Sequence, residues 1–429
     1  MTRRRVVITG LGLVSAAGCS VECAWQRLRA GESAVRRIKR FDVSGFPSQV
    51  AAEIDDSSLA VPTHSLQLID HDRIARYADT AAATALEDAR LLTADVDRSR
   101  VGTVMATGMG RYGHREVFAS CAAAAVDGPD AFDWRVLADA LRREIRPNAA
   151  QRRTPGSIPT SIAMRYAFGG PTMAVMTACA GGTQAIGDAL RWIRTSRADV
   201  VIAGGADSEL YPMGLASFCL LGALSTRNDN PAGASRPFDA DRDGFVMGEG
   251  AGMLVLEARD HALSRGAHIY AEVAGFGSAC DAFRATDPHP DGVGAQLSMR
   301  RAIGDARMQP DDIDYINAHG TSTPANDRVE TTAIKAVFGL RARDIPISST
   351  KSMIGHATVA AGAIEAIVTT LTLRDQVVHP TINYESADPN CDLDYVPNQA
   401  RATTVDLALS NSFAFGGQSA CLVLRRHEQ

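Results

Sequence analysis

Five stretches within the first 257 residues of this chain recur, in the same order, further along it. Val7-Ile8-Thr9-Gly10-Leu11-Gly12 resembles Glu272-Val273-Ala274-Gly275-Phe276-Gly277, and the run from Val101 to Gly108 resembles Ile313 to Gly320. Residues 172–177 followed by 181–195 resemble 345–349 followed by 358–374. Val201-Ile202-Ala203-Gly204-Gly205 resembles the stretch ending Phe415-Gly416-Gly417, and Met253 to Glu257 resembles Cys421 to Arg425. Each pairing alone is weak, and the shared order carries the case. Two copies of one unit explain it, with an expected division into residues 1–262 and 263–429.

Each copy reads as α/β. Short apolar, β-branched runs predict strands at 5–9, 101–106, 172–177, 200–203, 252–256, 270–274, 313–317, 345–349 and 404–410. Helical stretches fall at 22–30, 74–90, 134–144, 181–195, 296–306, 328–337 and 358–374. Strands separated by long helical crossovers imply mostly buried sheets. Residues 225–244 and 281–295 read as loops, and the Arg-rich stretch 142–154 as surface.

Composition excludes several classes. A chain of 429 residues buries about three quarters of its unfolded surface. With 44 basic and 49 acidic residues the net charge is −5, which gives no reason to expect nucleic acid. No uncharged apolar run reaches the roughly 18 residues of a membrane span, so no membrane partner is expected. Arg3-Arg4-Arg5 before Val6-Val7-Ile8 is read as the approach to a buried first strand rather than an export signal. The 8 cysteines are scattered and are expected to be reduced thiols in a cytoplasmic protein.

One of those thiols stands out. In Met176-Thr177-Ala178-Cys179-Ala180-Gly181-Gly182 an apolar strand ends, small residues turn the chain, and a helix begins. Cys179 therefore sits at a helix N-terminus, where the macrodipole favours a thiolate and is expected to lower its pKa. Small neighbours leave room for an acyl group. The competing reading is an inert buried cysteine, which is kept for Cys219, Cys280 and Cys421.

Two histidines occupy turns rich in small residues. His319 lies in Asn317-Ala318-His319-Gly320-Thr321-Ser322-Thr323, and His356 ends Ser349-Thr350-Lys351-Ser352-Met353-Ile354-Gly355-His356. Neutral imidazoles can each donate one N–H to a thioester carbonyl and so stabilise an enolate. Ordinary turn histidines are one alternative; zinc held by Cys179 and both His is another, though the ligand spacing is unusually wide. Asn411 to Ser419 forms a Gly-flanked turn whose backbone N–H groups could complete an oxyanion hole. Gly108-Met109-Gly110-Arg111-Tyr112-Gly113 matches a dinucleotide fingerprint, but the expected acidic strand does not follow. Asp239, Asp241 and Asp243 begin like a calcium loop without its closing Glu.

These motifs together resemble the elongating β-ketoacyl-acyl-carrier-protein synthases, over residues of about 4 to 426. Ser235-Arg236-Pro237-Phe238-Asp239 and Gly244-Phe245-Val246-Met247-Gly248-Glu249-Gly250 resemble that family's mid-chain signature. The resemblance implies a thiolase fold, with two similar halves in a layered α-β-α-β-α arrangement. It implies that Cys179 accepts an acyl chain from an acyl carrier protein, while His319 and His356 bind the malonyl thioester and promote its decarboxylation. It further implies an oxyanion hole at the N–H groups of Cys179 and Phe415, and a gate at Phe415. Lys351 and Glu365 match supporting positions, Thr321 and Thr323 the pantetheine contacts, and Met109 the distal end of the acyl pocket. No metal or cofactor beyond the carrier's own phosphopantetheine is implied. The partners implied are an acyl carrier protein and a second subunit, in a homodimer or in a heterodimer with a ketosynthase-like chain.

This chain departs from the fatty-acid members at Ala357-Thr358-Val359, where they show Leu-Leu-Gly, and at Gly416-Gly417-Gln418-Ser419. The latter, with Asn390 to Pro397, looks more like type II polyketide ketosynthases. Housekeeping fatty-acid elongation, a chain-length-setting partner subunit, a nicotinamide dehydrogenase and a thiolase or initiating synthase remain competing readings.

Overall fold

The computed structural model describes residues 3–59, 73–108, 114–125, 132–144 and 154–427. Ten strands run in one continuous path: β1 Val6–Ser15, β2 Val101–Thr107, β3 Thr172–Val175, β4 Val200–Ser208, β5 Met247–Ala258, β6 Ala271–Cys280, β7 Tyr315–Asn317, β8 Ile347–Ser348, β9 Leu407–Phe413 and β10 Gln418–Arg426. Their order is β8-β7-β9-β10-β6-β1-β5-β4-β2-β3. Read inward from either end, the two sets of five follow one pattern. β3, β2 and β4 are parallel, as are β8, β7 and β9. β5 and β1 then pair antiparallel in one set, and β10 and β6 in the other. The sets meet only where Val7 and Ile8 face Glu272 and Ala271.

Helices complete the layers. Helix α1 (Arg73–Asp88) covers the outer face of β1, β5 and β4, and helix α3 (Val293–Asp305) covers β6 and β10. Helices α2 (Gly181–Arg194) and α5 (Ala361–Asp375) lie between the two sets and pack on each other. Helix α5 is buried from Ala361 to Leu373, as a helix in a middle layer must be. The result is the α-β-α-β-α arrangement of a thiolase fold.

Two repeated glycine pairs explain how tightly the outer helices sit. A methyl group at Gly10 or Gly12 would overlap the carbonyl oxygens of Ala85 and Ala81 on α1. One at Gly275 or Gly277 would overlap those of Ala302 and Ser298 on α3. The Gly-x-Gly likeness in the sequence is thus a helix–sheet contact used twice.

Several expectations change. Strand β5 extends well before the predicted 252–256, because Gly248, Gly250 and Gly252 serve close approach rather than breaking the strand. Strand β10 was not among the predicted strands, and neither were helices His114–Ala124, Ser157–Arg165 and Pro212–Leu220. Helix α3 begins inside the stretch read as a loop at 281–295. Met109, most of the glycine run after Gly108, and residues 145–153 of the Arg-rich stretch lie outside the described residues. All 8 cysteines are free. No helix among the described residues is long and apolar enough to cross a membrane.

Candidate active site

Strand β3 ends at Val175, and a single turn of 3-10 helix, Ala178–Ala180, carries Cys179 to the start of α2. Ala178 has φ +43, a left-handed conformation that costs an L-residue about 1 kcal/mol or more. Gly182 lets this helix start pass α5: a methyl there would come within 2.5 Å of the Ala363 nitrogen. Thr183 Oγ1 meets Ser412 Oγ of β9 at 2.8 Å, tying the helix that follows Cys179 to the opposite half.

The histidines arrive from that half. The backbone N–H groups of His319 and Gly320 each donate to the Glu330 carboxylate at 2.8 Å, which pins the turn after β7 to helix α4 (Pro324–Phe338). Asn411 donates to the same carboxylate at 3.1 Å. Ser349 Oγ donates to the Gly320 carbonyl at 2.7 Å, joining this turn to the short helix Lys351–Ile354. The His356 N–H donates to the Val246 carbonyl at 2.7 Å, which fixes its turn against the start of β5.

Cys179, His319 and His356 line one cavity of about 300 Å³, together with Thr321, Thr323, Phe413 and Phe415. The imidazole centroids are 5.3 Å apart at 84°. Phe245 packs edge-on against His356 and Phe413 against His319, at 5.5 and 5.8 Å. Thr321 and Thr323 share a hydroxyl hydrogen bond of 2.9 Å on the wall. Phe415 opens a 3-10 turn whose Gly416 has φ +81.

Behind the histidines lies a buried ion pair. Lys351 donates to Glu365, and to the His319 carbonyl at 2.6 Å. Its Nζ also lies 3.3 Å from His319 Nδ1. Lysine has only donors to offer, so Nδ1 accepts and the ring proton of His319 sits on Nε2. Burial, with Lys351 adding to it, holds both His319 and His356 well below the usual imidazole range. Both rings are therefore neutral at pH 7, each with a single N–H. Burial raises the Glu365 carboxyl to about 7, with Lys351 pulling it down.

The expected depression of the Cys179 pKa is reversed. Burial pushes this thiol up to about 12, against the pull of Lys351, while the Asp207 and Glu365 carboxylates oppose the thiolate. The helix N-terminus is present, but removal of water from the sulfur outweighs it. Asp207 also accepts from Thr358 Oγ1, and from the Val359 N–H at 3.3 Å, holding the turn after His356. Thr358 has φ +44 and lines the cavity.

Sequence reasoning missed Glu330 and His379. Glu330 shares the apolar face of Val329, Ala333, Ile334 and Val337, and a carboxylate on such a face was the available signal. His379 is buried, contacts Thr350 Oγ1 at 3.1 Å and is lowered to about 4 by burial. Of the decoys, Asp239 is engaged by Arg236 and by the Glu385 and Ser386 N–H groups. Among the described residues no group of three His, Cys, Asp or Glu could hold a metal.

The beta-ketoacyl synthase N-terminal domain matches residues 3–262, and the C-terminal domain residues 270–385. The chain is 43% identical over 426 residues to 3-oxoacyl-[acyl-carrier-protein] synthase 2 of Coxiella burnetii, covering 99% of each. Relatives of the same name in Synechocystis and Rhizobium meliloti are 40% and 42% identical. Among solved structures, a type II polyketide ketosynthase in complex with its acyl-carrier protein, bound to the hexaketide, is 36% identical, with a TM-score of 0.85 over 100% of both chains. The ishigamide ketosynthase/chain length factor matches with the same figures, 36% and 0.85 over 100% of both. With both domains matched in order and relatives aligned end to end, this chain belongs to the β-ketoacyl synthase family of carbon–carbon bond-forming acyltransferases.

Proposed function

We propose that Cys179 carries the growing acyl chain and that His319 and His356 activate the malonyl extender in a decarboxylative Claisen condensation. The observation that carries this reading is the shared cavity, with the sulfur and two neutral imidazoles on one wall system. In the first half-reaction the Cys179 sulfur attacks an acyl thioester, and the carrier thiol leaves with the cysteine's proton. In the second, a malonyl thioester sits with its carbonyl oxygen on the two ring N–H groups. The carboxylate leaves as CO2, and its bonding pair becomes an enolate whose charge the N–H groups stabilise. The enolate carbon attacks the acyl carbonyl, the Cys179–acyl bond breaks, and the departing thiolate takes up a proton from water. Loss of CO2 supplies the carbanion, so no strong base, metal or redox group enters.

Backbone N–H groups of Cys179 and Phe415 receive the second oxyanion, with Phe415 as gate. Lys351 and Glu365 orient His319. Thr321 and Thr323 contact the pantetheine arm; for Met109, which lies outside the described residues, the family resemblance alone suggests a place in the acyl pocket. The carrier is an acyl carrier protein, as in the solved relative, and the reaction is cytoplasmic, in keeping with 8 free thiols. The functional halves divide at residues 262 and 263. A second subunit pairs at β3, which ends the sheet and leads to the exposed Met176; a ketosynthase or chain-length-factor chain is the candidate.

The pathway is specialised polyketide or polyene assembly. Gly416-Gly417-Gln418-Ser419 and the non-Leu turn Ala357-Thr358-Val359 support it, as do the two solved relatives. Fatty-acid elongation is the second reading, favoured by the name of the Coxiella relative. Reconstitution with malonyl-carrier protein and a panel of acyl primers, with and without a ketosynthase-like subunit, separates them by product mass. Intact-protein mass spectra are expected to show one acyl adduct on Cys179. A protein that condenses without that adduct overturns the reading.

A further inference from the structure

The turn that carries Cys179 has a twin. Ala178–Ala180 is a single 3-10 turn that opens helix α2, and Thr358–Ala360 is a single 3-10 turn that opens helix α5. Each begins with a left-handed residue, Ala178 at φ +43 and Thr358 at φ +44. The two helices match in register. A methyl at Gly182 would strike the Ala363 nitrogen, and one at Gly362 the Thr183 hydroxyl. Val359 therefore holds the place in the second half that Cys179 holds in the first.

The second turn is closed by a carboxylate. Asp207, buried at the end of β4, accepts from Thr358 Oγ1 and, with the same oxygen, from the Val359 N–H at 3.3 Å. Its other oxygen accepts from the Ser208 N–H at 2.9 Å. The N–H that matches the one proposed for the oxyanion at Cys179 is thus occupied by the protein itself. Thr358 keeps a left-handed conformation that persists only where the surroundings over-determine it.

These bonds bear on His356. Its N–H donates to the Val246 carbonyl at 2.7 Å, and its carbonyl accepts from the Gly248 N–H at 2.9 Å, so β5 fixes one side of the residue. Asp207 fixes the chain two residues further on. The ring itself has no polar anchor: His356 Nδ1 is buried with no hydrogen-bond partner among the described residues, whereas His319 Nδ1 faces Lys351. Where the His356 N–H points is therefore set by the backbone turn and by Phe245 against the ring.

We propose that Asp207 is a positioning residue for His356, acting through the Thr358 hydroxyl, and that it serves the loss of CO2 and not the acyl transfer to Cys179. The inference rests on the proposed function. Thr358 stands where the fatty-acid members show Leu, a side chain that cannot donate this bond.

Three variants test it. Thr358→Val removes the donor at nearly constant shape, and Thr358→Ser keeps it. Asp207→Asn places an amide NH2 where one of the two acceptor oxygens stands, so either Ser208 or the turn loses its partner. Each is compared with the unmodified chain for CO2 release from malonyl-carrier protein, for acyl-enzyme formation, and for the imidazole NMR signals of His319 and His356. Those signals are assigned by their loss in His319→Ala and His356→Ala. Thr358→Val and Asp207→Asn are expected to lower kcat for CO2 release about tenfold at unchanged KM, the effect of a slightly misplaced donor. Acyl-enzyme formation does not slow, and the His356 signals move while those of His319 stay. Thr358→Ser is expected to match the unmodified chain. Undiminished CO2 release in both Thr358→Val and Asp207→Asn overturns the positioning role. So does an equal loss of acyl transfer, which marks general damage to the fold, or a His356 signal that stays in place. An unmodified chain that releases no CO2 overturns the proposed function instead, and the His356 signal still decides whether Asp207 places the ring.

Discussion

At the level of single residues, the site is arranged around desolvation. Burial keeps His319 and His356 uncharged, and each neutral ring still has one N–H to offer the enolate oxygen of the proposed decarboxylation. Their pKa values lie below the ordinary 6.5, so lowering pH through 6.5 leaves both rings neutral. The imidazole NMR shifts of both histidines are therefore expected to show no protonation step between about pH 7.5 and 6, whereas the rate also responds to Glu365, whose carboxyl is raised to about 7. Protonation of either ring near 6.5 contradicts the assignment. The same burial raises the Cys179 thiol to about 12, so its alkylation by iodoacetamide is expected to climb steadily through pH 9, without a plateau near neutrality. Lys351 reconciles the two demands, since a cation behind the cavity opposes imidazolium and favours thiolate at once.

At the level of elements, glycine sets the spacing between layers. Gly10 and Gly12 meet α1, Gly275 and Gly277 meet α3, and Gly182 meets α5. Gly277→Val is expected to destabilise the fold by more than about 3 kcal/mol, since the collision is with helix backbone, which cannot rotate away. Denaturant titration measures it, and a loss below about 1 kcal/mol contradicts the packing argument. Much at this scale was legible. Val200-Val201-Ile202-Ala203 reads as a buried strand because burial on both faces leaves no polar alternation. The repeat was legible because the same helix–sheet contact recurs. Strand β5 was read too short because Gly248, Gly250 and Gly252 look like breakers when their neighbours are unknown. The sign of the Cys179 shift was illegible for a related reason: the helix start is local, but the desolvating walls come from β7, β9 and the turn before α5. Glu330 was overlooked although its place on an apolar helix face betrayed it.

At the level of the whole molecule, the two halves divide the chemistry of the proposed reaction. The first brings the sulfur on the end of β3, and the second brings both imidazoles after β7 and β8. The middle helices α2 and α5 put these ends together, with Thr183 and Ser412 bonded across the join at 2.8 Å. The half-reactions are accordingly separable by substitution. Cys179→Ala, His319→Ala and His356→Ala are compared for two signals, CO2 released from malonyl-carrier protein and acyl transfer from acyl-carrier protein to the enzyme. Cys179→Ala is expected to keep releasing CO2 while forming no acyl-enzyme and no product. The two histidine variants are expected to form acyl-enzyme while losing CO2 release by about 100-fold or more. Acyl-enzyme in Cys179→Ala, or undiminished CO2 release in both histidine variants, contradicts the account.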